Sequence, residues 1–269
     1  MKSTVFLAVS GLLVVAIAGA SSEQSAPAQG TSKRADRTPV IVELFTSEGC
    51  STCPPADALL KKLETDQPIA GAEVIGLEEH VDYWNHDGWV DPYSGAEWTY
   101  RQQEYVARFK GQSPYTPQMI VDGEKEFVGN NGRDAQEMIR QATQLEKAEV
   151  SVATETTAKS DTQRVEVRVG KVPATGEQDR ADVWVAVTEQ GLQTSVKAGE
   201  NKDRTWEHAA IVRSLQKIGS VTSKGSAPFE ANPQIKLKSN WKKENLRIVV
   251  FVQERKSLRI LGAASAKVA

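Results

Sequence analysis

The residues with the clearest chemical potential are Cys50 and Cys53, the only two cysteines in the 269-residue chain. They form a Cys-x-x-Cys pair. An apolar, β-branched run at 40–45 precedes them and predicts a buried strand. Apolar residues at helical spacing over 56–63 follow them and predict an amphipathic helix. The pair is therefore expected at the junction between a strand and the first turn of a helix.

A cysteine pair at such a junction is suited to redox chemistry. A thiolate at a helix N-terminus is stabilised by unpaired backbone N–H groups and by the helix dipole, and the thiolate is the attacking form. We expect Cys50 to be the exposed attacking thiol and Cys53, one turn further along, to resolve the mixed disulfide. A structural disulfide and a pair of metal ligands stay open as alternatives. The structural role is the weaker one, because closing so short a loop removes little chain entropy.

A second motif lies downstream, where Thr116-Pro117 leads into a short apolar run that ends in Asp122-Gly123. The run predicts a strand, and Asp-Gly predicts a turn. Together with the cysteine pair, the motif resembles the thioredoxin superfamily, whose members place a cis-proline opposite Cys-x-x-Cys. The resemblance implies an α/β thioredoxin-like fold, a cis-proline at Pro117, and a substrate segment that pairs with the backbone of Thr116. An ordinary trans-proline at the start of a strand is the alternative.

More narrowly, the chain resembles a family of exported bacterial proteins of unknown function. They combine an N-terminal thioredoxin-like domain, which carries Gly-Cys-x-x-Cys-Pro-Pro, with a C-terminal β-rich domain. The matching segments are residues 49–57, 115–123, 199–208 and 212–213. In the third segment, Arg204 and His208 are candidate functional residues, although isolated polar residues more often fix a hairpin or a domain interface.

The resemblance also implies a role for Glu43, in the strand before the cysteines. Members of the thioredoxin superfamily often keep a buried acid there, which takes the proton from the resolving cysteine. A buried carboxylate is costly unless it is functional or hydrogen-bonded. An outward-facing Glu43 on an alternating strand is the competing interpretation.

An aromatic segment at about 83–112 separates the two motifs and is an insertion relative to a minimal thioredoxin. Its later part, residues 96–110, has the spacing of a helix. Tyr83, Trp84 and Trp89 are candidates for lining a substrate groove, because aromatic side chains make adhesive contact surfaces. We take Trp84 as the substrate-binding residue. Aromatic packing of the helix on the sheet is the alternative.

Histidines in the same region leave a metal-binding function open. Two thiolates with a nearby imidazole, from His80 or His86, would suit zinc or cuprous copper. Neither histidine stands in a dense ligand motif, and a lone histidine is usually structural. The leading hypothesis therefore includes no metal site and no cofactor.

The N-terminal residues predict export. A basic start at Lys2, an apolar run over 5–18 and a small-residue exit predict a secretory signal cleaved near Ala20. The polar stretch 21–38 predicts a flexible linker. No stable membrane span is expected after cleavage. A periplasmic or secreted location would place the cysteines in an oxidising compartment, where a disulfide persists.

Two domains are predicted for the mature chain. The thioredoxin-like domain spans 39–147 and includes the aromatic insertion. From 148 to 269 the apolar residues alternate with period two between turn signals, which predicts an all-β, sandwich-like domain.

Composition sets limits on the partners. The chain is 39% hydrophobic and 25% charged, which is typical of a globular protein. A net charge of −2 gives no reason to expect nucleic acid as a partner. The leading hypothesis is an exported thiol–disulfide oxidoreductase that acts on protein or peptide thiols and disulfides. The alternatives are a periplasmic copper- or zinc-delivery protein and a non-catalytic binding module on a thioredoxin scaffold.

Overall fold

The structure is a computed structural model that describes Met1 and residues 37–109, 113–155, 161–174, 180–223 and 227–269. Apart from Met1, the predicted signal sequence lies outside the described residues, as does most of the predicted linker. Within the described ranges, no helix is both long and apolar enough to cross a membrane. By its contacts, the chain from residue 36 to 269 forms one compact unit.

The described part of the chain holds three α-helices and fourteen β-strands. The helices are α1 (Pro54–Asp66), α2 (Ala96–Arg108) and α3 (Gly132–Ala142). The strands of the N-terminal half are β1 (Thr38–Thr46), β2 (Ala72–His80), β3 (Gln118–Val121) and β4 (Lys125–Val128). Those of the C-terminal half are β5 (Val150–Glu155), β6 (Thr162–Val169), β7 (Ala181–Glu189), β8 (Gln193–Ser195), β9 (Thr205–Glu207), β10 (Ile211–Val221), β11 (Phe229–Ala231), β12 (Gln234–Lys236), β13 (Leu246–Glu254) and β14 (Ile260–Lys267).

Strand β1 is buried on both faces because helices cover both sides of the sheet around it. Its residues Val42 and Leu44 belong to one apolar cluster with α1 and α3. On the opposite face, Ile41 packs in a cluster with Trp98 of α2. A strand enclosed in this way reads as a continuous apolar run rather than as an alternating one, which is the pattern of 40–45.

Helix α1 starts directly after the cysteines. Proline at Pro54 and Pro55 is compatible with the first turn, because the N–H groups of that turn have no partner within the helix. Ala56, Leu60 and Leu63 are buried and share an apolar cluster with β1. This packing fixes the start of α1 at the end of β1, where the cysteines lie.

One eight-stranded sheet runs through both halves of the chain, in the order β14-β13-β7-β10-β2-β1-β3-β4. Strand β1 is parallel to β2 and antiparallel to β3, and β4 is antiparallel to β3. The halves meet where β10 pairs in parallel with β2, through Ile211 and Glu78. The predicted domain boundary at 147–148 falls between α3 and β5, and strands from both sides of it share this sheet.

The described residues after 148 contain strands and one 3-10 turn at Lys243–Asn245, but no α-helix. A second sheet, of four strands, holds β5, β6, β11 and β12. Valines of β6 share an apolar cluster with valines of β7 and β13, so this sheet packs face to face on the large one. The remaining strands, β8 and β9, pair only with each other in the described sheets and form a hairpin.

Candidate active site

The two cysteines form a disulfide at the start of α1. Cys53 is the residue just before the helix, and its carbonyl accepts the backbone N–H of Ala56 at 2.8 Å. Both cysteines are completely buried. The expectation of an exposed Cys50 is therefore wrong for the oxidised protein, because other parts of the chain cover the disulfide.

The cover comes from two segments that are distant in sequence. Val196 and Trp206, from the β8–β9 hairpin, form a buried cluster with the two cysteines. Trp84 and Trp89, from the aromatic segment, are half-buried and pack against the same cluster. We call residues 193–207 the cover hairpin, because this part of the C-terminal half lies on the disulfide.

Polar contacts fasten the cover hairpin to the turn that carries the cysteines. The side-chain amide of Asn201 donates to the backbone carbonyls of Glu48 and Cys50, both at 2.9 Å. The backbone N–H of Ser51 donates to the carboxylate of Glu200 at 3.2 Å. The hairpin is thus held by hydrogen bonds to the peptide groups on both sides of Gly49.

The Thr116–Pro117 peptide bond is cis, which is the predicted isomer. A Cβ built at Gly129 would lie 3.1 Å from the Cβ atoms of both Pro117 and Ala56, so the proline packs beside the first turn of α1. The indole N–H of Trp84 donates to the hydroxyl of Thr116 at 2.7 Å. Trp84 therefore contacts both the disulfide cluster and the cis-proline motif.

Glu43 is buried, as the resemblance implies, but its hydrogen-bond partners are residues of α2 rather than the resolving cysteine. The guanidinium of Arg101 donates to its carboxylate at 2.7 Å, and the hydroxyl of Tyr105 donates to it as well. Both partners belong to α2, whereas the neighbouring Val42 and Leu44 face α1. Glu43 therefore lies on the face of the sheet opposite to α1, in an ion pair.

A chain of buried acids and histidines lies beneath the cover. His80 contacts Asp91 through Nδ1 at 2.7 Å and Glu78 through Nε2 at 3.0 Å. His208 contacts the same oxygen of Glu78 through Nδ1 at 2.7 Å and Glu48 through Nε2 at 3.1 Å. All five side chains are buried. We call Glu48, Glu78, His80, Asp91 and His208 the buried polar cluster.

The neighbouring carboxylates favour the protonated form of both histidines in this cluster. Each imidazole lies between two carboxylate oxygens, so both of its nitrogens need a proton to donate. Burial by itself lowers the pKa of His208, but the charge of Glu78 and the hydrogen bonds to Glu48 and Glu78 outweigh it and raise the pKa to about 9. Burial also opposes the charge of His80, yet Asp91 and Glu78 raise its pKa well above the ordinary value. Both histidines are therefore cationic at neutral pH in the absence of another cation.

Among the titratable residues of α1, Asp57 is the nearest in sequence to the cysteines, four residues after Cys53. Its side chain is buried, and Oδ2 accepts the hydroxyl of Thr46 at 3.2 Å. Burial, and then the charge of Glu78, raise the pKa of Asp57 to about 8. At neutral pH its carboxyl is protonated and is able to donate a proton.

An open groove runs beside the disulfide, between α1 and the cover hairpin. Its volume is about 610 Å³. Pro54 and Trp206, the neighbours of the cysteines in the two segments, line it together with the charged residues Lys61, Lys62, Arg204 and Glu207. The groove gives an incoming chain a surface to lie on next to the cover.

Three of the candidate residues, Tyr83, His80 and His86, do not belong to the cluster around the disulfide. The hydroxyl of Tyr83 donates to Gln102 at 3.1 Å, and Tyr83 is exposed and does not belong to the disulfide cluster. His86 is exposed and contacts Asp87 at 2.9 Å. His80 lies in the buried polar cluster, where Glu78 and Asp91 take both ring nitrogens.

Residues 41–253 match the model of a family described as "Protein of unknown function (DUF1223)". The chain belongs to this family. The match covers strands and helices of both halves, including the cysteines, the cis-proline motif and the cover hairpin. The family match agrees with the resemblance, noted from the sequence, to a bacterial family of unknown function.

Two solved structures give further comparisons for this DUF1223 protein. A crystal structure of a protein from Agrobacterium tumefaciens is similar, with 27% sequence identity and a TM-score of 0.63, over 85% of this chain and 94% of that one. A domain of the outer membrane lipoprotein Omp28 from Porphyromonas gingivalis has 15% identity and a TM-score of 0.30, over 46% of this chain and 89% of that one, which is too slight to carry an argument. No match was found among curated proteins.

Sequence reasoning missed Glu48, Glu78, Asp91 and Asp57. One signal was present: Glu78 and His80 end the apolar strand β2, where burial makes an acid and a histidine costly unless they are paired. Another was the place of Asp57 on the apolar face of α1. The partner of Glu78, His208, stands 130 residues away, and only the fold brings the two together.

Proposed function

We propose that this DUF1223 protein is an exported thiol–disulfide oxidoreductase whose redox centre is the Cys50–Cys53 pair. The observation that carries the proposal is the position of the disulfide at the start of α1, whose first turn packs beside Pro117 of the cis Thr116–Pro117 peptide. A disulfide in this place closes a very short loop and adds little to stability through chain entropy. Reversible redox chemistry explains it better.

The topology of the N-terminal half supports a thioredoxin-like fold as part of the proposal. Strands β2-β1-β3-β4 are neighbours in this order, with β1 and β2 parallel and the last two antiparallel. Helices α1 and α3 pack on one face of this unit, and α2 packs on the other. This arrangement supports the α/β thioredoxin-like fold that we propose for the N-terminal half.

The chemistry proceeds by two thiol–disulfide exchanges. A thiolate of the substrate attacks Cys50 Sγ, a mixed disulfide forms, and the Cys50–Cys53 bond breaks with its electron pair on Cys53. Asp57, protonated at neutral pH, supplies the proton that converts Cys53 to a thiol. A second substrate thiolate then attacks the substrate sulfur of the mixed disulfide, which releases the substrate disulfide and leaves Cys50 as a thiolate next to the Cys53 thiol.

Burial of the disulfide adds a step before the exchange. A protein thiolate needs access to sulfur, and the cover hairpin with Trp84 and Trp89 prevents it in the oxidised form. The cover hairpin therefore moves away before the first exchange. An extended substrate that lies in the groove between α1 and the hairpin would approach the disulfide from the side of Pro54.

The first test is the reduction potential of the cysteine pair. We would equilibrate the mature protein in graded thiol–disulfide buffers and quantify the reduced fraction by alkylation. A value near about −120 to −180 mV is expected for a protein that forms or shuffles disulfides, and one near about −270 mV for a reductant. A pair that stays oxidised well below about −300 mV would be a structural disulfide, and the proposal would fall.

Matched serine variants test the roles of the two cysteines. Cys53→Ser should trap a mixed disulfide when the free thiol of Cys50 attacks a model peptide disulfide and displaces one peptide thiol, visible by mass spectrometry. Cys50→Ser should trap much less, because Cys53, the residue just before α1, is assigned as the resolving thiol. Equal trapping by the two variants would contradict the assignment of Cys50 as the exchanging thiol.

A further inference from the structure

We propose that Glu78, His80 and His208 form a binding site for a divalent transition-metal ion, for which zinc is the best match. One donor atom from each of the three side chains lies within 4.8 Å of the other two. Glu78 Oε1 is 3.0 Å from His80 Nε2 and 2.7 Å from His208 Nδ1, so the three atoms converge on one point. The site uses neither cysteine and does not depend on the redox function.

The surroundings of the three donors are those of a metal site. Ligating histidines commonly donate their second N–H to a carboxylate, which orients the ring and raises its basicity. Here His80 has Asp91 at 2.7 Å in that place, and His208 has Glu48 at 3.1 Å. The second oxygen of Glu78 accepts the backbone N–H of Ala209 at 2.8 Å, which leaves the first oxygen for an ion.

Nearby carboxylates would compensate the charge of an ion at this place. Glu48, Glu78 and Asp91 are buried, and each has an oxygen within 3.1 Å of an imidazole nitrogen. A divalent cation on the inner nitrogens would face these acids, while the outer nitrogens could still donate to Asp91 and Glu48. The ion can therefore enter this buried place without leaving an uncompensated charge, which would be costly.

A second, independent observation points to a ligand. Asp57 is 1% exposed, and its Oδ1 has no hydrogen-bond partner among the described residues. Its carboxyl interacts electrostatically with all three donor residues. A buried carboxyl oxygen without a partner is rare, and a metal-bound water is the partner that an ion on the neighbouring donors would provide.

The donor set selects the type of ion. Two imidazoles and one carboxylate, with a fourth position open, suit zinc in tetrahedral coordination. Magnesium and calcium prefer sets made of oxygens, and cuprous copper prefers sulfur. The cysteine sulfurs are bonded to each other and offer no thiolate in the oxidised protein. Zinc therefore fits better than the other ions.

Such an ion would connect the two halves of the chain at the redox centre. Glu78 and His80 belong to β2, whereas His208 follows β9 of the cover hairpin. The ring of Trp206 stacks on His208 at 6.2 Å between centroids and also covers the disulfide. Bound zinc would hold the end of the cover hairpin to β2.

Zinc binding by the oxidised, chelator-stripped protein tests the proposal. Titration in competition with a chromophoric chelator should give one zinc per chain. His80→Gln and His208→Gln should weaken binding at least about a hundredfold, more than the roughly 10- to 100-fold expected for the outer residue in Asp91→Asn. His86→Gln, a change at the exposed third histidine, is the matched control and should bind as the wild type does.

Two further readouts keep the test decisive if a histidine variant fails to fold. Cobalt bound to the wild-type protein should show d–d absorption without a thiolate charge-transfer band, and the double Cys50→Ser, Cys53→Ser variant should bind equally well. Zinc should also raise the melting temperature of the wild type. A wild-type protein that binds no zinc, a thiolate band, or equal loss of binding in His86→Gln would overturn the metal site. None of these results bears on the redox potential, so the two proposals fail separately.

Discussion

At the scale of single residues, Asn201 is the side chain that ties the cover hairpin to the cysteines. Its amide makes two hydrogen bonds to carbonyls of the turn that carries the cysteines, at Glu48 and Cys50, and the residue is completely buried. The carbonyl of Cys50 also accepts the backbone N–H of Cys53 at 3.2 Å, so the loss of Asn201 removes two hydrogen bonds and affects the carbonyl of Glu48 most. We therefore expect Asn201 to set how often the cover opens.

Truncation of Asn201 should speed reduction of the disulfide. Two lost hydrogen bonds weaken the closed state by about 1–3 kcal/mol, so Asn201→Ala should react with a small dithiol roughly ten times faster than the wild type. Reduction is followed by quenched alkylation over time. Asn240→Ala, the same change at an exposed position of the C-terminal half, should react at the wild-type rate. Equal rates for both variants would mean that the cover does not limit access.

Glu43 is buried, but for a different reason from the one that the sequence suggested. Glu43 was a candidate proton carrier because of its place before the cysteines, but β1 turns it toward Arg101 and Tyr105. Asp57 and Glu48 are the acids near the disulfide instead. The direction in which a strand residue points is decided by which face each helix covers, and the sequence of β1 alone does not contain that information.

At the scale of elements, helix α1 is held against the C-terminal half by Glu64. Its Oε1 accepts Gln190 Nε2 at 2.8 Å and Arg247 Nη1 at 3.1 Å. Burial raises the pKa of Glu64 to about 7, although the charge of Arg247 opposes this rise. The folded protein therefore keeps the Glu64 proton in a pH range where the unfolded chain has lost it.

This pKa predicts the pH dependence of stability. Between about pH 4.5 and about pH 7 the folded state binds more protons than the unfolded state, so Glu64 lowers the free energy of unfolding as pH rises. The free energy of unfolding of Glu64→Gln should not show this decrease. The difference between the variant and the wild type should therefore shift by about 2–3 kcal/mol in favour of the variant over that range. Urea unfolding at several pH values measures it. The control is Glu137→Gln, at an exposed residue of α3 paired with Arg140. If Glu64→Gln and Glu137→Gln followed the same pH profile, Glu64 would be ionised in the folded protein.

At the scale of the whole molecule, the turn between β3 and β4 docks on the turn between β13 and β14. Gly123 has a φ of +70°, and a Cβ there would lie 1.9 Å from the carbonyl oxygen of Leu258. Next to it, the backbone N–H of Ile260 donates to the carbonyl of Asp122 at 2.8 Å. The two halves therefore meet backbone to backbone at this point.

Because of this close contact, a methyl group added at Gly123 should destabilise the protein strongly. Gly123→Ala should lower the free energy of unfolding by several kcal/mol, because it adds a clash with backbone, about 1–3 kcal/mol, to the cost of a positive φ. Gly71→Ala is the control, since Gly71 has a φ of +79° but no heavy atom within 4 Å of the built Cβ. It should lose only about 1–2 kcal/mol. Equal losses in chemical denaturation would show that the two turns separate readily.

Local chemistry let the sequence determine much of the N-terminal half. Apolar runs and helical spacing predicted β1, α1 and α2, because each of these patterns reflects burial within one element. The positions of the cysteines at the start of α1 and of the cis-proline at Pro117 also followed from short motifs. The alternating valines of the C-terminal half predicted its strands for the same reason.

Only the tertiary structure decided how the halves join and what surrounds the disulfide. The pairing of β10 with β2 merges both halves into one sheet and places His208 on Glu78. The same pairing brings the cover hairpin over Cys50 and Cys53. These contacts join residues more than 100 positions apart, and they depend on the burial of whole faces rather than on the pattern of one segment. The sequence by itself therefore determined the cysteine pair and its place at the start of α1, and the packing of the two halves determined that the pair is covered and what charged groups lie beneath it.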